Sequence, residues 1–432
     1  MKKNNRALIR FIVYSLFGIF MFFVPIKIGD KSSIPLDHLV TFIQEIPYYK
    51  EVYGLGLVFI GVFLPFINGK WKKTKINMIF SFINISALFF IVMAVFNIGP
   101  KGLLEDDMIP FIYSKVVVPV TTIVPVGSVF LAFIISYGLM EFVGVFMRPI
   151  MKPIFKTPGR SAIDAVASFV GSYSIALLIT NRVYEEGKYN AKEACIIATG
   201  FSTVSATFMI IVAKTLGFMD THWSIYFWVT VFVTFLVTAI TARIYPLSKK
   251  KESYYKGVTG DIEEDVKENK FKTALEFAEK TSTEAPGILE NTKRNLIDGF
   301  KLAINMAPSL MAVGSLGLIV AKYTKVFDIV GYIFYPFTLI ARLPEPLLAA
   351  KALSMSIAEM FLPVVPVAGA SMVTKFVVGV TCVSEILFFS ASIPCMMSTN
   401  IPLKMKDYLI IWFERVALSI LITSPIAYLL FR

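Results

Sequence analysis

Histidine and cysteine are scarce in this chain of 432 residues, which has two histidines and three cysteines. His38 and His222 lie far apart in predicted loops, so they indicate no metal site. Cys195, Cys382 and Cys395 form no CxxC pair and lie in or beside apolar segments, where we expect them to be buried as small hydrophobic side chains. No GxxxxGKS or GxxxxGKT motif is present, so the sequence contains no nucleotide-driven motor.

Charged residues are scarce as well. They make up 17% of the chain, whereas apolar residues make up 56% and phenylalanine alone contributes 39 residues. A typical soluble domain is about 25% charged and about 45–50% apolar, so its surface has no room for so many apolar side chains. The composition therefore excludes a soluble enzyme, a nucleic-acid-binding protein and a disordered protein. We also expect no membrane-embedded enzyme, because the sequence has no His-rich or Ser-His-Asp cluster.

The net charge of +12 comes largely from lysine and arginine in short loops between apolar runs. Basic residues precede the first apolar run and fill the turn at 70–75, whereas Glu105, Asp106 and Asp107 follow the third run. The positive-inside rule places the basic loops in the cytoplasm and the acidic loop outside. We therefore predict a protein of the bacterial cytoplasmic (inner) membrane with a cytoplasmic N-terminus.

The apolar runs predict an all-α polytopic membrane protein. A membrane-spanning helix needs about 20 mostly apolar residues. About nine runs are predicted to span the membrane: Leu8–Ile26, Val52–Ile67, Ile76–Ile98, Val116–Leu139, Ala194–Leu216, Trp223–Tyr245, Leu302–Ala321, Phe376–Met396 and Tyr408–Leu430.

Two further apolar segments carry too many polar residues for ordinary spans. The first, about 161–186, is followed by a basic loop, and the charge rule is satisfied if the segment enters and leaves the membrane on one side. The second, about 347–372, contains Glu359 and two prolines. We predict that both are re-entrant helical hairpins, which are tolerated at membrane depth only when buried in protein or lining a cavity. Asp164 is expected to be solvated near the entrance of the first hairpin.

The two hairpins belong to a predicted internal repeat. Val126-Gly127-Ser128 recurs as Val313-Gly314-Ser315, and Ser174-Ile175-Ala176 recurs as Ser356-Ile357-Ala358. A single gap of five residues reconciles the two registers. The repeat predicts a three-span N-terminal unit at 1–114, a first copy at 115–247, a cytoplasmic linker with a surface helix at 248–296, and a second copy at 297–432.

The two predicted copies start on opposite sides of the membrane, which makes the repeat an inverted one. In many secondary transporters with this plan, the substrate site lies near mid-membrane, where interrupted helices of the two copies meet. A hairpin that ends inside the membrane leaves N–H and C=O groups without partners, and those groups can bind a polar solute or an ion.

Three stretches resemble the nucleoside-recognition Gate domain: Pro158-Gly159-Arg160-Ser161, Ser-Phe-Val-Gly-Ser-Tyr-Ser at 168–174, and Thr-Gly-Phe-Ser-Thr-Val-Ser at 199–205. The complete layout, with three leading spans and two such halves, resembles the YjiH family. Gate-like repeats also occur in concentrative nucleoside transporters, spore-maturation membrane proteins and the membrane part of ferrous-iron transporters. The resemblance covers about residues 115–432, and the transporter relatives imply a substrate carried with a coupling ion by an elevator-like motion.

The resemblance to concentrative nucleoside transporters also implies site residues. Those transporters have an acidic residue in the second hairpin, which Glu359 matches, and polar residues on the next span, which Ser384, Glu385 and Ser390 match. They have a Gln-Thr-Glu-like first hairpin, whereas the tip here, Gly171–Ser174, contains no glutamine or glutamate. The substrate class therefore stays open between nucleoside-like and amino-acid-like or dipeptide-like solutes.

Further candidates for substrate contact follow from their positions at the hairpin tips, near the end of the first hairpin, or in the span after it. They are Ser172, Ser174, Thr180, Asn181, Ser202, Ser205 and Ser356. Serine is also common at helix contacts in membranes, and Asn181 alternatively caps the first hairpin. Ser202 and Ser205 are three residues apart and are therefore expected to share a helix face.

Glu359 and Glu385 are the candidates for the coupling-ion site, because a carboxylate is costly within an apolar segment unless it faces a cavity or a partner. The alternatives are an ion pair of Glu359 with Lys351 and an interhelical hydrogen bond of Glu385. No cofactor is indicated, and Na⁺ and H⁺ are the two candidates for the coupling ion.

Together these features predict a secondary active transporter of a small polar organic solute with alternating access. Its partners are the small-molecule substrate and the lipid bilayer, without nucleic acid, and a homo-oligomer is compatible with the sequence. The alternative is a structural or assembly membrane protein of the spore-maturation Gate type that transports nothing. A polar pocket between the hairpins distinguishes the first function from the second, whose hairpins would pack flush through apolar contacts.

Overall fold

Helices dominate the computed structural model, which describes residues 2–24, 26–29, 31–72, 75–170, 173–204, 206–218, 221–264, 266 and 268–431. The N-terminal part also contains a two-stranded antiparallel hairpin, β1 (Ile26–Ile28) and β2 (Lys31–Ser33). The helices of this part are α1 (Lys2–Phe23), α2 (Pro35–Gln44), α3 (Tyr49–Ile67) and α4 (Lys75–Phe96).

The middle of the chain contains the first predicted copy. Its helices are α5 (Ile109–Phe111), which continues through a π-helical turn (Ile112–Val117) into α6 (Val118–Ile135), then α7 (Leu139–Phe155), α8 (Ala162–Val170), α9 (Tyr173–Glu185), α10 (Ala191–Gly200), α11 (Ala206–Leu216) and α12 (Trp223–Thr241). The polar segment that follows contains α13 (Lys270–Glu284).

The C-terminal part contains the second predicted copy. Its helices are α14 (Ile288–Tyr323), α15 (Val326–Val330), α16 (Tyr335–Ile340), α17 (Pro346–Met355), α18 (Met372–Ser384), α19 (Ser392–Met397) and α20 (Met405–Leu430). A short 3-10 helix, Leu362–Val364, lies between α17 and α18.

Six helices in the described ranges are long and apolar enough to cross a membrane: α3, α4, the α5–α6 unit, α12, α14 and α20. The other three predicted spans correspond to α1 and to two interrupted helices, α10–α11 and α18–α19. A polytopic architecture that is helical apart from the short β1–β2 hairpin is therefore confirmed. The predicted continuity of the spans at 194–216 and 376–396 is wrong, because each is broken near its middle.

Helix α12 shows the distribution of side chains expected for a helix in contact with lipid. Its inner face buries Thr230, Thr234 and Thr238, which are 0% exposed. Its outer face exposes Trp228 at 66% and Phe232 at 55%. In a water-soluble protein the apolar face of a surface helix is the buried one. The reversed arrangement indicates that the outer face contacts lipid acyl chains.

The longest helix is α14, which has 36 residues and a length of about 54 Å. It begins at Ile288, so its first turns belong to the segment that the sequence predicts as a linker. It packs against α6, α4 and α3. Gly61 of α3 allows the closest approach, since a Cβ atom there would overlap the carbonyl oxygen of Ile304. Helix α14 is therefore the central element that joins the N-terminal helices to the first copy.

The first predicted hairpin consists of α8 and α9, which pack against each other. Asp164 lies between them and is 0% exposed. Thr180 Oγ1 donates to Asp164 Oδ1 at 2.6 Å, and Tyr189 Oη donates to Asp164 Oδ2 at 2.6 Å. The expectation of a solvated Asp164 is therefore wrong, because its carboxylate holds the base of the hairpin together.

The second predicted hairpin has only one α-helical arm, α17. The chain turns after Met355 and returns through the 3-10 helix and irregular backbone before α18 begins at Met372. Lys351 on α17 pairs with Asp328 at 3.1 Å. The alternative pairing of Lys351 with Glu359 is therefore wrong.

Residues 251–264, the strap, run against the base of the first hairpin. Glu263 accepts hydrogen bonds from the backbone N–H groups of Gly159 at 2.6 Å and Arg160 at 2.8 Å, and from Arg160 Nε at 3.1 Å. Arg160 Nη1 also donates to Asp261 Oδ2 at 2.7 Å. The predicted linker is therefore docked on the helices, and its carboxylates cap the N-terminal end of the hairpin, where helix N–H groups lack intrahelical partners.

The predicted surface helix of this segment is α13. It buries Ala274, Ala278 and Ser282, which are spaced four residues apart and therefore lie on one face. This face packs against α7 and α1, and Ser282 Oγ donates to the carbonyl of Ala7 at 3.0 Å. The helix thus fastens the strap to the rest of the protein.

Candidate functional site

The helix is interrupted between α18 and α19, at residues 385–391. This interruption contacts the turn at the tip of the second hairpin, just after α17. Phe389 N donates to the carbonyl of Ile357 at 2.7 Å, and Ser390 N donates to the carbonyl of Ala358 at 2.8 Å. These two bonds replace helical bonds that the interruption forfeits. They position Glu359 of the hairpin and Glu385 of the interrupted helix in the same region.

The backbone of this interruption is strained at its first turn. Leu387 N donates to the carbonyl of Glu385 at 2.8 Å, and Ile386 between them has a φ of 66°. A β-branched residue rarely adopts a positive φ, and strain of this kind costs about 1–3 kcal/mol. Ser392 stabilises the far side of the turn by accepting from Phe388 N at 2.9 Å and donating to the Ile386 carbonyl at 2.7 Å.

Glu385 is 0% exposed, and only one of its carboxylate oxygens has a partner in the described structure. Its Oε2 accepts from Trp412 Nε1 of α20 at 3.1 Å, whereas Oε1 is buried with no hydrogen-bond partner among the described residues. Trp412 Nε1 also lies 3.1 Å from Ser356 Oγ. One carboxylate oxygen of Glu385 therefore makes an interhelical hydrogen bond, as the alternative predicted, and the other has no partner among the described residues.

Glu359 lies at the tip of the second hairpin, in the turn after α17, and is 5% exposed. Its Oε2 accepts from Phe361 N at 2.6 Å and from Leu362 N at 3.2 Å. The carboxylate thus caps the start of the 3-10 helix, where backbone N–H groups need an acceptor. These bonds fix the turn that contacts the interrupted helix.

The interruption between α10 and α11 is held by the first hairpin and by the second interrupted helix. Ser168 Oγ of α8 donates to the carbonyl of Thr203. Thr203 Oγ1 donates to the carbonyl of Val383 at 3.4 Å. Ser202 Oγ is buried and has no partner within the described ranges. Ser202 lies in non-helical backbone, so the expectation that it shares a helix face with Ser205 is wrong.

The structure brings some of the predicted site residues together and separates others. Five of the predicted residues lie near Trp412 and the tip of the second hairpin: Ser356, Glu359, Ser384, Glu385 and Ser390. Ser384 Oγ bonds to Ser419 Oγ of α20, and Ser390 Oγ is buried without a described partner. Thr180 lies away from this group, inside the first hairpin. Ser174 is buried near the start of α9. Ser172 and Ser205 lie outside the described residues.

Asn181 lines a polar cavity of about 330 Å³ between α6, α9 and α14, the vestibule. Its Oδ1 accepts from Asn400 N at 2.8 Å, and its Nδ2 donates to Glu185 Oε1 at 3.0 Å. Asn181 therefore does not cap the hairpin. Asn295 and Asn305 of α14 form the opposite wall. The vestibule therefore lies beside the first hairpin, and not between the tips of the two hairpins.

Two side chains of the site were missed by sequence reasoning, Trp412 and Arg415. Arg415 is 0% exposed and donates through Nε to the carbonyl of Ser384 at 2.8 Å and through Nη1 to Thr238 Oγ1 at 3.1 Å. The signal for Arg415 was its position inside the apolar run Tyr408–Leu430, where a charge is costly. No group of three or more His, Cys, Asp or Glu residues in the described part of the chain is arranged to hold a metal ion.

Comparison with known proteins gives one relative along nearly the whole chain. The chain is 31% identical over 443 residues to an uncharacterized protein of Alkalihalophilus pseudofirmus, covering 98% of this chain and 95% of the relative. Residues 117–219 match the family model for the Gate domain, which is described as nucleoside recognition. The Gate resemblance is therefore confirmed over residues 117–219, whereas its extension to the second copy and the assignment to the YjiH family stay predictions.

Among solved structures, two variants of the concentrative nucleoside transporter CNTnw in an outward-facing state have a similar fold. Their TM-scores are 0.52 and 0.51, each at 14% sequence identity, and each match covers 97% of this chain and 99% of the transporter. At this level of identity the similarity shows a shared fold. The chain therefore belongs to the same family as the Alkalihalophilus pseudofirmus protein, and it is a helical membrane protein with a Gate domain and the fold of concentrative nucleoside transporters.

Proposed function

We propose that this protein is a secondary active transporter that carries a small polar organic solute across the bacterial cytoplasmic membrane on a Na⁺ or H⁺ gradient. The observation that carries the proposal is the contact between the second hairpin and the interrupted helix α18–α19. Buried polar atoms there lack described partners, namely Glu385 Oε1 and Ser390 Oγ. A buried polar group without a partner costs about 1–3 kcal/mol, and a bound solute or ion would remove that cost.

A nucleoside-like solute is the first candidate for the substrate. The Gate match at 117–219 and the fold similarity to a concentrative nucleoside transporter support it. An amino-acid-like or dipeptide-like solute is the second candidate, because the tip of the first hairpin carries no glutamine or glutamate. Both classes present several hydrogen-bond donors and acceptors, which hydroxyl, carboxylate and backbone groups in a site of this kind would satisfy.

An elevator-type motion fits the arrangement of the helices. The hairpins and the interrupted helices are tied to one another by Ser168–Thr203, Thr203–Val383 and the backbone bonds at Ile357 and Ala358. Helix α14 packs against α3, α4 and α6, and these helices form the layer on which the tied group rests. We propose that the tied group moves against this layer, and that the vestibule between α9 and α14 is the route to the cytoplasm.

The first test is a thermal-shift screen of the purified protein with nucleosides, amino acids, dipeptides and organic anions, with and without Na⁺. A ligand bound only by the folded state stabilises it by RT ln(1 + [L]/Kd), so a ligand present well above its Kd raises the unfolding temperature. The compound that binds is then followed in proteoliposomes under an imposed Na⁺ gradient or an imposed pH gradient. The gradient that drives accumulation identifies the coupling ion.

The second test concerns the carboxylates. We expect Glu385→Gln to lower uptake by roughly tenfold or more, the equivalent of one lost charge-assisted interaction. Asp164→Asn is the matched control, because Asp164 is equally buried but already has two partners. Normal uptake by the double variant Glu359→Gln/Glu385→Gln would show that neither carboxylate takes part. Failure of every solute class to bind or to enter the vesicles would favour the structural or assembly function instead.

A further inference from the structure

The C-terminal ends of two half-helices lie on either side of Arg415. Helix α10 ends at Gly200, and helix α18 ends at Ser384, at the two interruptions. The last carbonyl groups of a helix have no intrahelical donor, and each helix C-terminus carries about −0.5 elementary charge. Two such ends facing one position together carry roughly one negative charge.

Arg415 meets both ends. Its Nε donates directly to the carbonyl of Ser384 at 2.8 Å. Its Nη1 donates to Thr238 Oγ1 at 3.1 Å, and Thr238 Oγ1 in turn lies 2.8 Å from the carbonyl of Gly200. Its Nη2 lies 3.4 Å from the carbonyl of Thr234. The guanidinium group therefore fills the space between the two half-helices.

No carboxylate within the described ranges forms an ion pair with Arg415 at 4.0 Å or less, although the buried Glu385 carboxylate acts on its charge from a longer distance. The side chain is nevertheless 0% exposed and lies near the middle of α20, where an uncompensated charge is costly. Backbone carbonyls and a threonine hydroxyl are thus its direct partners. Carbonyl and hydroxyl oxygens converging on a position inside a membrane protein are also the ligands that an alkali cation would use.

We propose that the guanidinium group of Arg415 is a built-in cation, which takes at this crossing the place that a mobile cation would otherwise occupy. The α10 and α18 ends are consequently neutralised throughout the transport cycle. A Na⁺ ion, if it drives transport, binds elsewhere in the protein. The part of this inference that concerns uptake rests on the proposed transport function, whereas the binding of a cation at this position does not.

The test removes the tethered cation and supplies a free one. In Arg415→Ala, the carbonyl of Ser384 and the hydroxyl of Thr238 lose the donor that Arg415 supplies, and we expect the unfolding temperature in detergent to fall by about 3–6 °C. Guanidinium chloride at millimolar concentrations, far below those that denature proteins, is then compared with choline chloride and NaCl. We expect guanidinium or Na⁺ to restore part of the lost stability in Arg415→Ala, and neither to stabilise the unchanged protein.

Arg243→Ala is the matched control, because Arg243 also donates to carbonyl groups at a helix end but is exposed. Added guanidinium is expected to have no stabilising effect on that variant. Arg415→Lys, which keeps a charge near the same carbonyls, covers the case in which Arg415→Ala does not fold. It should be more stable than Arg415→Met, and Arg415→Met should gain stability from added cation.

The inference is overturned if Arg415→Met is as stable as Arg415→Lys and neither guanidinium nor Na⁺ stabilises it. It is also overturned if Arg415→Ala retains normal stability. The proposed transport function can fail independently, because the thermal measurement needs no substrate. Where uptake is measurable, its loss in Arg415→Ala and its recovery with guanidinium would extend the inference to the transport cycle.

Discussion

The hydrogen bonds of Glu263 and Asp261 to Gly159 and Arg160, here called the clamp, join the strap to the first hairpin and give a quantitative prediction for Glu263. Its carboxylate accepts three hydrogen bonds, from Gly159 N, Arg160 N and Arg160 Nε, at 2.6, 2.8 and 3.1 Å. Each hydrogen bond to a charged group contributes about 1.5–3 kcal/mol net. Glu263→Ala removes all three, so the local loss is about 4–9 kcal/mol before relaxation. Glu263→Gln keeps one oxygen acceptor and should lose roughly half as much.

We expect Glu263→Ala to release the strap and to loosen the base of the first hairpin, because two backbone N–H groups and Arg160 Nε lose their acceptor together. Hydrogen–deuterium exchange followed by mass spectrometry measures this directly in peptides covering residues 159–170 and 251–264. Exchange in both peptides should accelerate in Glu263→Ala and less so in Glu263→Gln. Glu264→Gln is the control, since Glu264 is exposed and lies next in the chain.

The same clamp predicts a dependence on pH through Asp261. Partial burial acts to raise the pKa of Asp261, but the Arg160 guanidinium outweighs it and holds that pKa below its ordinary value. A carboxyl group with a lowered pKa in the folded state contributes stability that is present above its ordinary pKa, about 3.9. That contribution is lost as pH falls through the lowered value. Protection of the strap should therefore be constant from neutral pH to about pH 4 and fall below it.

The clamp reasoning would be refuted by unchanged exchange at 159–170 in Glu263→Ala, because the carboxylate would then contribute nothing to the hairpin. Equal acceleration in Glu264→Gln would show that any loss of negative charge has the same effect. Either result would reduce the strap to a passive connection.

Three other perturbations test the described contacts. Asp164→Ala should lower the free energy of unfolding by about 1–3 kcal/mol, because it leaves the buried Tyr189 hydroxyl without an acceptor while the Thr180 hydroxyl keeps the carbonyl of Ala176; thermal unfolding in detergent checks this. Gly61→Val should lower the unfolding temperature and separate α3 from α14, because the valine side chain would overlap the carbonyl of Ile304. If the crosslinking yield between the two helices equals that of the unchanged protein, this prediction is wrong. Arg182 Nη1 and Asp298 Oδ2 face each other across the vestibule at 3.6 Å. If either single charge reversal changes uptake, the charge-swapped double variant Arg182→Asp/Asp298→Arg should restore it. The coupling energy between the two side chains should be below about 1 kcal/mol.

The spans and the first hairpin could be predicted from the sequence because long apolar runs and basic loops are local signals. The interruptions could not. Residues 201–204 and 385–391 contain no proline and no glycine, and their composition is compatible with a continuing helix. What breaks them is tertiary: Thr203 bonds to Val383, and residues 389 and 390 bond to the second hairpin. A helix can give up its intrahelical hydrogen bonds at a point where other segments of the chain supply replacement partners. The local sequence does not show which segments those are.

The site illustrates the same limit. Glu359 and Glu385 stood out because they are acidic residues in apolar segments, and the structure places them in one region. Arg415 carried an equally clear signal, but a cation near a span end is commonly assumed to reach the membrane surface. Its position in the middle of α20 argues against that reading. Asp164 was misjudged for a related reason, since its partners Thr180 and Tyr189 are 16 and 25 residues away in the chain.

The two interruptions share a construction that bears on how the protein would move. Each contains a three-residue turn, from Thr203 N to the Phe201 carbonyl and from Leu387 N to the Glu385 carbonyl. Each is held by the hairpin of its own half, the first through Ser168 and the second through residues 357 and 358. This is the arrangement that a duplication would produce. Because Arg415 and Thr238 then join the two helix ends, we expect each hairpin to shift together with its interrupted helix and the two predicted copies to move as one body.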